Sequence, residues 1–347
     1  MADISEYKNI LVIRLSSLGD VVLTTPVFAN LRQALPETKL SVLTKSQYKD
    51  IFLNNPNINE ILTLDKQEPL ASLINRVRKN KYDLIIDLHN NLRSHIVGFA
   101  SGAKVIRYNK QSINRYALLH FRQSNPALRK SVIQRYLDTL DFLGSRLGRL
   151  DTKIYLTEKE TRQAQAFLEQ CGCGTGDLII GLNPGAKWET KKWPLPNWLE
   201  FIKLCQGQKI KLLLFGDSSD QRFISALLKE AGEVRDTVIN MAGKTDLRQL
   251  SALIKQCRVL VTGDSGALHI AQALAVPVLV LLGPTVPEFG FISARRNDIV
   301  LFKELPCRPC SLHGTNDCKR GDRLCLAGLS AKEVFGSLQE QLKTDGS

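Results

Sequence analysis

Residues 259–285, VLVTGDSGALHIAQALAVPVLVLLGPT, decide the fold class of this chain. An apolar run ends at Gly263-Asp264, a helical pattern follows, and a second apolar run ends at Gly283. Strand, helix and strand in this order are typical of a parallel β-sheet covered by helices. Both runs are continuously apolar, as strands buried on both faces are. The stretch therefore predicts an α/β domain built on a parallel sheet.

The same alternation of apolar runs and amphipathic stretches extends over the rest of the chain in two series. The runs of the first series are residues 9–15, 39–45, 61–64, 82–88 and 104–108. Those of the second are residues 177–185, 209–217, 236–243, 257–264 and 276–284. A helical pattern after the first run predicts one helix from Asp20 to about Leu35.

A boundary between two domains is indicated where the pattern weakens. A polar helix over residues 158–171 leads into the glycine-rich CGCGTGD at 171–177, which is typical of a linker. We therefore predict domains at residues 1–172 and 173–347. The length of 347 residues agrees, at roughly 150 residues per domain.

The net charge restricts the classes of partner. Lys and Arg number 47 and Asp and Glu 34, a net charge of +13, and residues 104–149 hold ten basic and two acidic residues. Such an excess is typical of contact with phosphates on nucleic acid, an anionic membrane or a small ligand. Because no apolar run approaches the roughly 20 residues of a membrane span and the first ten residues lack a signal-peptide layout, we expect a cytoplasmic protein.

Polar residues after the apolar runs are the candidates for chemistry, because ligands of open parallel sheets bind beyond the carboxyl ends of strands. Asp20, which follows the first run, could cap a helix or project into a cleft. Small residues at 264–266 open a helix whose N–H groups and dipole suit a phosphate. His269 either contacts that ligand or is a core histidine. Lys187, Lys191 and Lys192 follow a strand end, where they could contact a ligand. The alternative is that they are ordinary solvated surface lysines.

Four motifs, taken together, resemble one known family. They are IRLSSLGDVVLTTP (13–26), IDLHNNLRS (86–94), PGAKWETKKWP (184–194) and GDSGALHIAQAL with LLGPT (263–285). In this order they are similar to the ADP-heptose:lipopolysaccharide heptosyltransferases of glycosyltransferase family nine, over nearly the whole chain. The resemblance implies a GT-B fold of two Rossmann-like domains with parallel sheets facing a cleft. Residues 1–172 would bind the acceptor and residues 173–347 the nucleotide-sugar.

The resemblance also implies the reaction. The protein would be an inverting glycosyltransferase that moves heptose from ADP-heptose to the inner core of lipopolysaccharide by direct displacement. Asp20 would be the general base, Lys191 would stabilise the departing ADP, and Asp264 would hold sugar hydroxyls. The other implied donor-binding residues are Ala186, Lys187, Gly243, Lys244, Thr245, Ser265, Gly266, Ala267 and His269. Arg93, Ser94 and Arg107 would bind the acceptor.

The implied partners are ADP-heptose, the inner-core acceptor and the anionic cytoplasmic face of the inner membrane, where the enzyme would be peripheral. No catalytic metal is expected, because the sequence has no Asp-x-Asp pair to hold a phosphate-bound divalent ion. Another GT-B transferase with a different nucleotide-sugar and a sugar epimerase remain alternatives. A basic nucleic-acid-binding protein is a third alternative, although RNA-binding aromatic motifs and zinc-finger histidine pairs are missing from the sequence. We expect no nucleic-acid partner.

The C-terminal segment is rich in cysteine. Cys307, Cys310, Cys318 and Cys325 lie within 19 residues, with His313 among them. A CxxC pair with two further thiols can hold one tetrahedral zinc or iron ion in a structural site. Reduced thiols and a disulfide are the alternatives, and all three explanations stay open on the sequence.

Overall fold

A computed structural model describes residues 6–144, 148–174, 176–206, 209–232, 237–292 and 295–344. The chain divides into two compact units, one of residues 1–114 with 125–155 and one of residues 115–124 with 156–347. The domain boundary that the sequence predicts after residue 172 stays a prediction.

The first unit is built on a parallel sheet of five strands, counted over its described residues. The strands are β1 (Asn9–Ile13), β2 (Lys39–Lys45), β3 (Glu60–Leu64), β4 (Leu84–Asp87) and β5 (Lys104–Arg107). Their order is β3-β2-β1-β4-β5, and each matches an apolar run of the sequence. The helices up to residue 155 are α1 (Leu18–Val22), α2 (Thr25–Ala34), α3 (Leu70–Lys79), α4 (Leu92–Ser101), α5 (Ser112–Phe121) and α6 (Val132–Leu137). Residues 115–121 of α5 belong to the second unit.

The single helix predicted from Asp20 to about Leu35 is wrong, because the structure has α1 and α2 in its place. The hydroxyls of Thr24 and Thr25 donate to the carbonyls of Val21 and Val22, at 2.7 and 2.9 Å. Such bonds compete with the helical pattern, and Pro26 has no N–H with which to continue it. The break leaves Asp20 on a helix of one turn directly after β1.

The second unit repeats the arrangement with one more strand. Its strands are β6 (Leu178–Asn183), β7 (Ile210–Leu214), β8 (Val238–Asn240), β9 (Val259–Gly263), β10 (Val278–Leu281) and β11 (Ile299–Leu301). Over the described residues they form a parallel sheet of order β8-β7-β6-β9-β10-β11. The helices are α7 (Glu158–Gln170), α8 (Leu195–Cys205), α9 (Gln221–Ala231), α10 (Leu247–Lys255), α11 (Gly266–Ala273), α12 (Leu324–Ala327) and α13 (Ala331–Thr344). The short strand β11 was not predicted.

Aromatic side chains anchor the loop between β6 and α8 to the core of the second unit. Trp193 and Trp198 are 2% and 1% exposed and pack edge to face, with ring centroids 5.0 Å apart. The Trp193 indole donates to the carbonyl of Leu329 at 2.9 Å, so its polar atom is satisfied. Residues 184–194 are thereby held in place at the end of a central strand.

Both sheets reverse their strand order at one point, between β1 and β4 in the first unit and between β6 and β9 in the second. In open α/β sheets this switch point opens a crevice beyond the carboxyl ends of the strands, where ligands bind. We therefore expect one ligand site in each unit, at this switch point. Among the described residues, no helix is both long and apolar enough to span a bilayer.

Candidate active site

In the second unit, Lys191 and Asp264 meet at the switch point. Asp264 follows β9, and Lys191 lies in the loop after the neighbouring β6. The Lys191 Nζ donates to Asp264 Oδ2 at 2.6 Å, and the two side chains are 12% and 13% exposed. The Thr285 hydroxyl, after β10, donates to the same oxygen at 3.3 Å. Three strand ends thus converge on one carboxylate.

Glycines at two strand ends let the Lys191 loop pass close to the sheet. A Cβ at Gly263 would lie 3.1 Å from the Lys191 carbonyl oxygen, and one at Gly283 would lie 3.0 Å from that of Thr190. Backbone atoms cannot yield easily at such distances. The glycines of the GD and LLGPT motifs are therefore required by packing, independently of any ligand.

The start of α11 lies beside this ion pair. Ser265 is the N-cap residue, but within the described structure its side chain makes no cap hydrogen bond to the helix. Its hydroxyl instead accepts from Asn183 Nδ2 at 3.2 Å and lies 3.0 Å from Thr262 Oγ1. The first N–H groups of a helix have no intrahelical partner and carry partial positive charge. Together with Lys191, this helix end suits an anionic ligand.

The other predicted donor residues lie at the same sheet edge in different environments. Lys187 is exposed, with its Nζ 5.1 Å from the ring centre of Trp188, and Ala186 is half-buried. Gly266 is partly exposed, Ala267 is buried, and His269 is 4% exposed in α11, which is buried from residue 267 to residue 273.

Residues 243–245 follow β8, two strands from β6. Gly243 has a φ of +68° and donates its N–H to Gly216 at 2.9 Å, while the Lys244 Nζ donates to the Asn240 carbonyl at 2.9 Å. Thr245 is partly exposed and directly precedes the N-cap residue of α10.

In the first unit, Asp20 lies at the switch point between β1 and β4 and is held from both sides. Its Oδ1 accepts from the Arg14 guanidinium at 2.8 Å, and its Oδ2 accepts from the Ser17 N–H and hydroxyl at 3.1 and 2.6 Å. The Tyr136 hydroxyl lies 3.5 Å from Oδ1. The contact with the Ser17 N–H is a cap interaction. Asp20 therefore caps α1 while it also lies at the end of β1, where a cleft is expected. With 16% of its side chain exposed, the carboxylate is oriented yet reachable.

Positive charge lies near this carboxylate. Burial, together with the neighbouring Arg14, Lys110 and Lys45, lowers the pKa of His89, which follows β4, to about 4. His89 is therefore neutral at physiological pH, and the lysines and Arg14 carry the charge. Asp20 and these cations act on the same His89, and positive charge near the carboxylate suits an acceptor with negative groups.

The predicted acceptor residues divide into one buried and two accessible side chains. Ser94 is 1% exposed, and its hydroxyl donates to the buried Asp87 at 2.8 Å. It therefore holds the turn after β4 together. Arg93 is exposed on α4, and Arg107 lies 3.8 Å from Asp87 with 37% of its side chain exposed. These two arginines are available to a ligand.

The four C-terminal cysteines are free thiols. Burial, together with the nearby Cys310 and Cys318, raises the pKa of Cys325 to about 11. Burial also raises the pKa of Cys310, with contributions from Cys307 and Cys318. The four thiols are therefore near neighbours. Among the described residues, however, no three His, Cys, Asp or Glu side chains are arranged to hold a metal ion. The metal site stays a prediction.

Sequence reasoning missed Arg14, Asn183 and Thr285. Arg14 and Asn183 each lie at the end of an apolar run, and a polar residue at that place is a usable signal in a parallel sheet. Thr285 belongs to the LLGPT motif, but the sequence alone indicates no role for it. Its contact with Asp264, 21 residues earlier, depends on the adjacency of β9 and β10.

Comparison with known proteins agrees with this geometry. Residues 70–318 match the profile of glycosyltransferase family 9 (heptosyltransferase). The lipooligosaccharide heptosyltransferase 2 of Haemophilus influenzae is 29% identical over 297 residues, covering 81% of this chain and 85% of that protein.

Two solved structures share the fold. A family 9 glycosyltransferase from Veillonella parvula has a TM-score of 0.81 at 24% identity, covering 97% of this chain and 98% of that one. The ADP-heptose lipopolysaccharide heptosyltransferase II of Escherichia coli has a TM-score of 0.78 at 23% identity, covering 98% of this chain and all of that one.

The two parallel-sheet α/β units and these neighbours define a glycosyltransferase of the GT-B class, so the fold class expected from the resemblance is confirmed. The family match covers well over half of the chain. The chain belongs to glycosyltransferase family 9, the heptosyltransferase family, and is an enzyme.

Proposed function

We propose that this enzyme transfers heptose from ADP-heptose to the inner core of lipopolysaccharide, by direct displacement with inversion. The observation that carries the proposal is the Lys191–Asp264 pair at the start of α11, which combines a cation with helix N–H groups. A nucleoside diphosphate needs both when no metal holds it. Two relatives, the lipooligosaccharide heptosyltransferase 2 of Haemophilus influenzae and the ADP-heptose lipopolysaccharide heptosyltransferase II of Escherichia coli, support the choice of sugar and acceptor.

The donor is proposed to bind through its charged and hydroxyl groups. Its diphosphate accepts hydrogen bonds from the N–H groups at residues 265–267 and from the Lys191 ammonium. Asp264 accepts from sugar hydroxyls, Gly243, Lys244 and Thr245 border the adenine, and Ala186, Lys187 and His269 complete the donor site. The ion pair between Lys191 and Asp264 loosens as each side chain turns to its own ligand group, and the opposite charges keep the two in position until then.

The chemical step is proposed to use Asp20 as the general base. Asp20 takes the proton of the acceptor hydroxyl, whose oxygen attacks the anomeric carbon as the bond from that carbon to the diphosphate oxygen breaks. ADP leaves with the electron pair, and its new negative charge is stabilised by Lys191 and the α11 dipole. Arg14 and Ser17 hold Asp20 in one orientation, so little reorganisation is needed. We expect no catalytic metal.

Arg93 and Arg107 are proposed to contact negative groups of the acceptor, and Ser94 acts through the turn that it stabilises. The basic first domain would keep the enzyme at the cytoplasmic, anionic face of the inner membrane as a peripheral protein. Several lysines and arginines near such a surface add attraction together.

The test is turnover of the purified protein with ADP-heptose and a panel of truncated lipopolysaccharide cores, followed by ADP release and by the mass of the product. We expect ADP release only with a core that can accept heptose, and we expect a product that is heavier by one heptose. The anomeric configuration of the product, determined by nuclear magnetic resonance, tests inversion. Turnover of a different nucleotide-sugar, an epimerised product, or DNA binding without turnover would each replace the proposal.

A further inference from the structure

One helix of the first unit exposes an apolar face to solvent. Leu92, Ile96 and Phe99 of α4 are 77%, 38% and 89% exposed. At about 100° per residue they lie within one narrow arc of the helix. The buried residues of α4, Ser94, Val97 and Gly98, lie on the opposite side, where the helix packs on the sheet. We call Leu92, Ile96 and Phe99 the α4 face.

The α4 face lies in a stretch of chain without acidic residues. Residues 88–137 contain nine Lys and Arg and no Asp or Glu, whereas a stretch of that length at the average composition of this chain would hold about five acidic residues. The preceding acid, Asp87, is fully buried and bonded to Ser94. No acidic side chain of this stretch can therefore repel an anionic surface.

Basic side chains lie on and beside the helix that carries the α4 face. Arg93 is exposed on the same helix, and the Arg78 guanidinium donates to the carbonyl of Ala100 at the end of α4, at 2.7 Å. Helix α3, which packs against α4, has three basic residues in its last turn and no acidic residue.

Helix α5, later in the sequence and mainly part of the second unit, has an exposed apolar side of its own. Ile113, Tyr116 and Phe121 are 85%, 57% and 64% exposed, whereas Arg115 and Leu118 on the opposite side are buried. Single exposed apolar residues are common on soluble proteins, but a helical stripe of large ones with basic neighbours is typical of helices that lie in a membrane interface.

We propose that the α4 face docks this enzyme on an anionic phospholipid surface, with Leu92 and Phe99 entering the boundary between headgroups and acyl chains. The inference rests on the proposed function, because an acceptor anchored in a membrane by its lipid requires the enzyme to work at that surface. A second copy of this chain is a poorer occupant. A symmetric dimer through this face would bring Arg93 and the basic last turn of α3 from both copies together, and like charges repel.

The test is co-sedimentation of the full chain with vesicles, in the absence of donor and acceptor. Vesicles of phosphatidylcholine alone are compared with vesicles containing about 30% phosphatidylglycerol, a composition that gives a negative surface potential. We expect binding at least about tenfold tighter to the anionic vesicles, weakening as salt is added. The double variant Leu92→Ser/Phe99→Ser should bind about tenfold more weakly, and so should Phe99→Glu.

Leu150→Ser is the matched control, because Leu150 is also an exposed leucine of the first unit, at 47%, and lies outside the α4 face. It should bind vesicles like the wild type. All variants should keep the wild-type melting temperature and, with a delipidated, water-soluble core acceptor, the wild-type turnover. If the wild type shows no turnover with this soluble acceptor, the proposed function is contradicted, but the vesicle-binding result remains valid.

Equal vesicle binding by wild type and the two α4 variants would overturn the docking proposal, as would equal binding to neutral and anionic vesicles. A dimer of the wild type that the Leu92→Ser/Phe99→Ser variant cannot form would identify the face as an interface between copies instead. Sedimentation velocity over a range of protein concentrations measures that outcome.

Discussion

At the scale of single residues, Arg14 shows how a strand end prepares a carboxylate for catalysis. The side chain is 8% exposed, donates to Asp20, and also donates to the carbonyl of Leu88 after β4. The Arg14 guanidinium lies 5.5 Å from the ring centre of Tyr136, which itself approaches Asp20. Two neighbouring strands and α6 thus fix one carboxylate, which is the preorganisation that a general base requires.

Asp20→Asn tests the base directly. Because the amide cannot accept the proton, we expect kcat to fall about 10²- to 10⁴-fold, the usual effect of losing a general base. Affinity for ADP, measured by calorimetry, should be unchanged. Ser17→Ala is the control, since it removes one hydrogen bond and keeps the carboxylate, and should lower kcat far less. Wild-type turnover by Asp20→Asn would remove this residue from the mechanism.

Lys191 and Lys192 form a natural pair for testing the leaving group. Lys191 contacts Asp264 at the start of α11, whereas Lys192 contacts the half-exposed Glu189 at 2.5 Å. We expect Lys191→Ala to lower kcat about 10²-fold, as removal of one charge-stabilising donor does. Lys192→Ala should stay close to the wild type. Steady-state rates of ADP release measure both, and equal small losses would show that neither lysine stabilises ADP.

At the scale of elements, an ion pair joins α7 to α10 within the second unit. Glu160 of α7 accepts two hydrogen bonds of 2.7 Å from the guanidinium of Arg248. The same carboxylate accepts from the N–H and hydroxyl of Thr157, which caps α7. The bond to Arg248, the largest cause, and the bonds to Thr157 together lower the pKa of Glu160 from 4.5 to about 2.

The lowered pKa makes the stability of the second unit dependent on acid. The contribution of Glu160 is fully present above its ordinary pKa of 4.5, and it is lost as the pH falls towards 2, because the unfolded chain binds the proton first. Since Glu160 keeps contact with water, we expect Glu160→Gln to cost about 1 kcal/mol at pH 7. The cost should shrink to nothing by about pH 2.

Urea unfolding at pH 7, 4 and 3 measures this dependence. Glu158→Gln on the same helix is the control, because its ion pair with Arg162 is exposed at both ends. That variant should unfold like the wild type at every pH. A Glu160→Gln variant as stable as the wild type at pH 7 would show that the pair contributes nothing to stability.

At the scale of the whole molecule, the two units share one plan. Both sheets place their first and fourth strands side by side, and in both a carboxylate follows a strand at this switch point, Asp20 in one and Asp264 in the other. The cysteine-rich segment between β11 and α13 lies outside this plan. The metal ion predicted there is expected to be structural, because the proposed displacement uses Asp20, Lys191 and the α11 dipole.

Elemental analysis of the purified protein tests the cysteines. If Cys307, Cys310, Cys318 and Cys325 bind one ion, we expect about one zinc or iron per chain and a lower melting temperature after chelation. Activity should then fall only as far as the fold is disturbed. Cys205→Ser changes a buried cysteine of α8 and should keep the metal content. Metal-free protein with four titrating thiols would leave reduced cysteines as the explanation.

The sequence by itself determined the sheet strands other than β11, the polar residues at the carboxyl ends of those strands, and the family. Continuously apolar runs identify buried parallel strands because both faces of such a strand exclude water. It did not determine the break between α1 and α2, because an apolar period continues across Pro26. Nor could it assign Ser94 to the interior, since that depends on Asp87 being buried below it.

Only the tertiary structure decided which distant residues meet and which faces stay open. Lys191 and Asp264 are 73 residues apart, and they meet because β6 and β9 are neighbours and two glycines admit the loop. The sequence of α4 places Leu92, Ile96 and Phe99 on one side of the helix, but periodicity shows only which residues share a face. Whether another element covers that face follows from how the helix packs on the sheet, and the structure leaves it exposed.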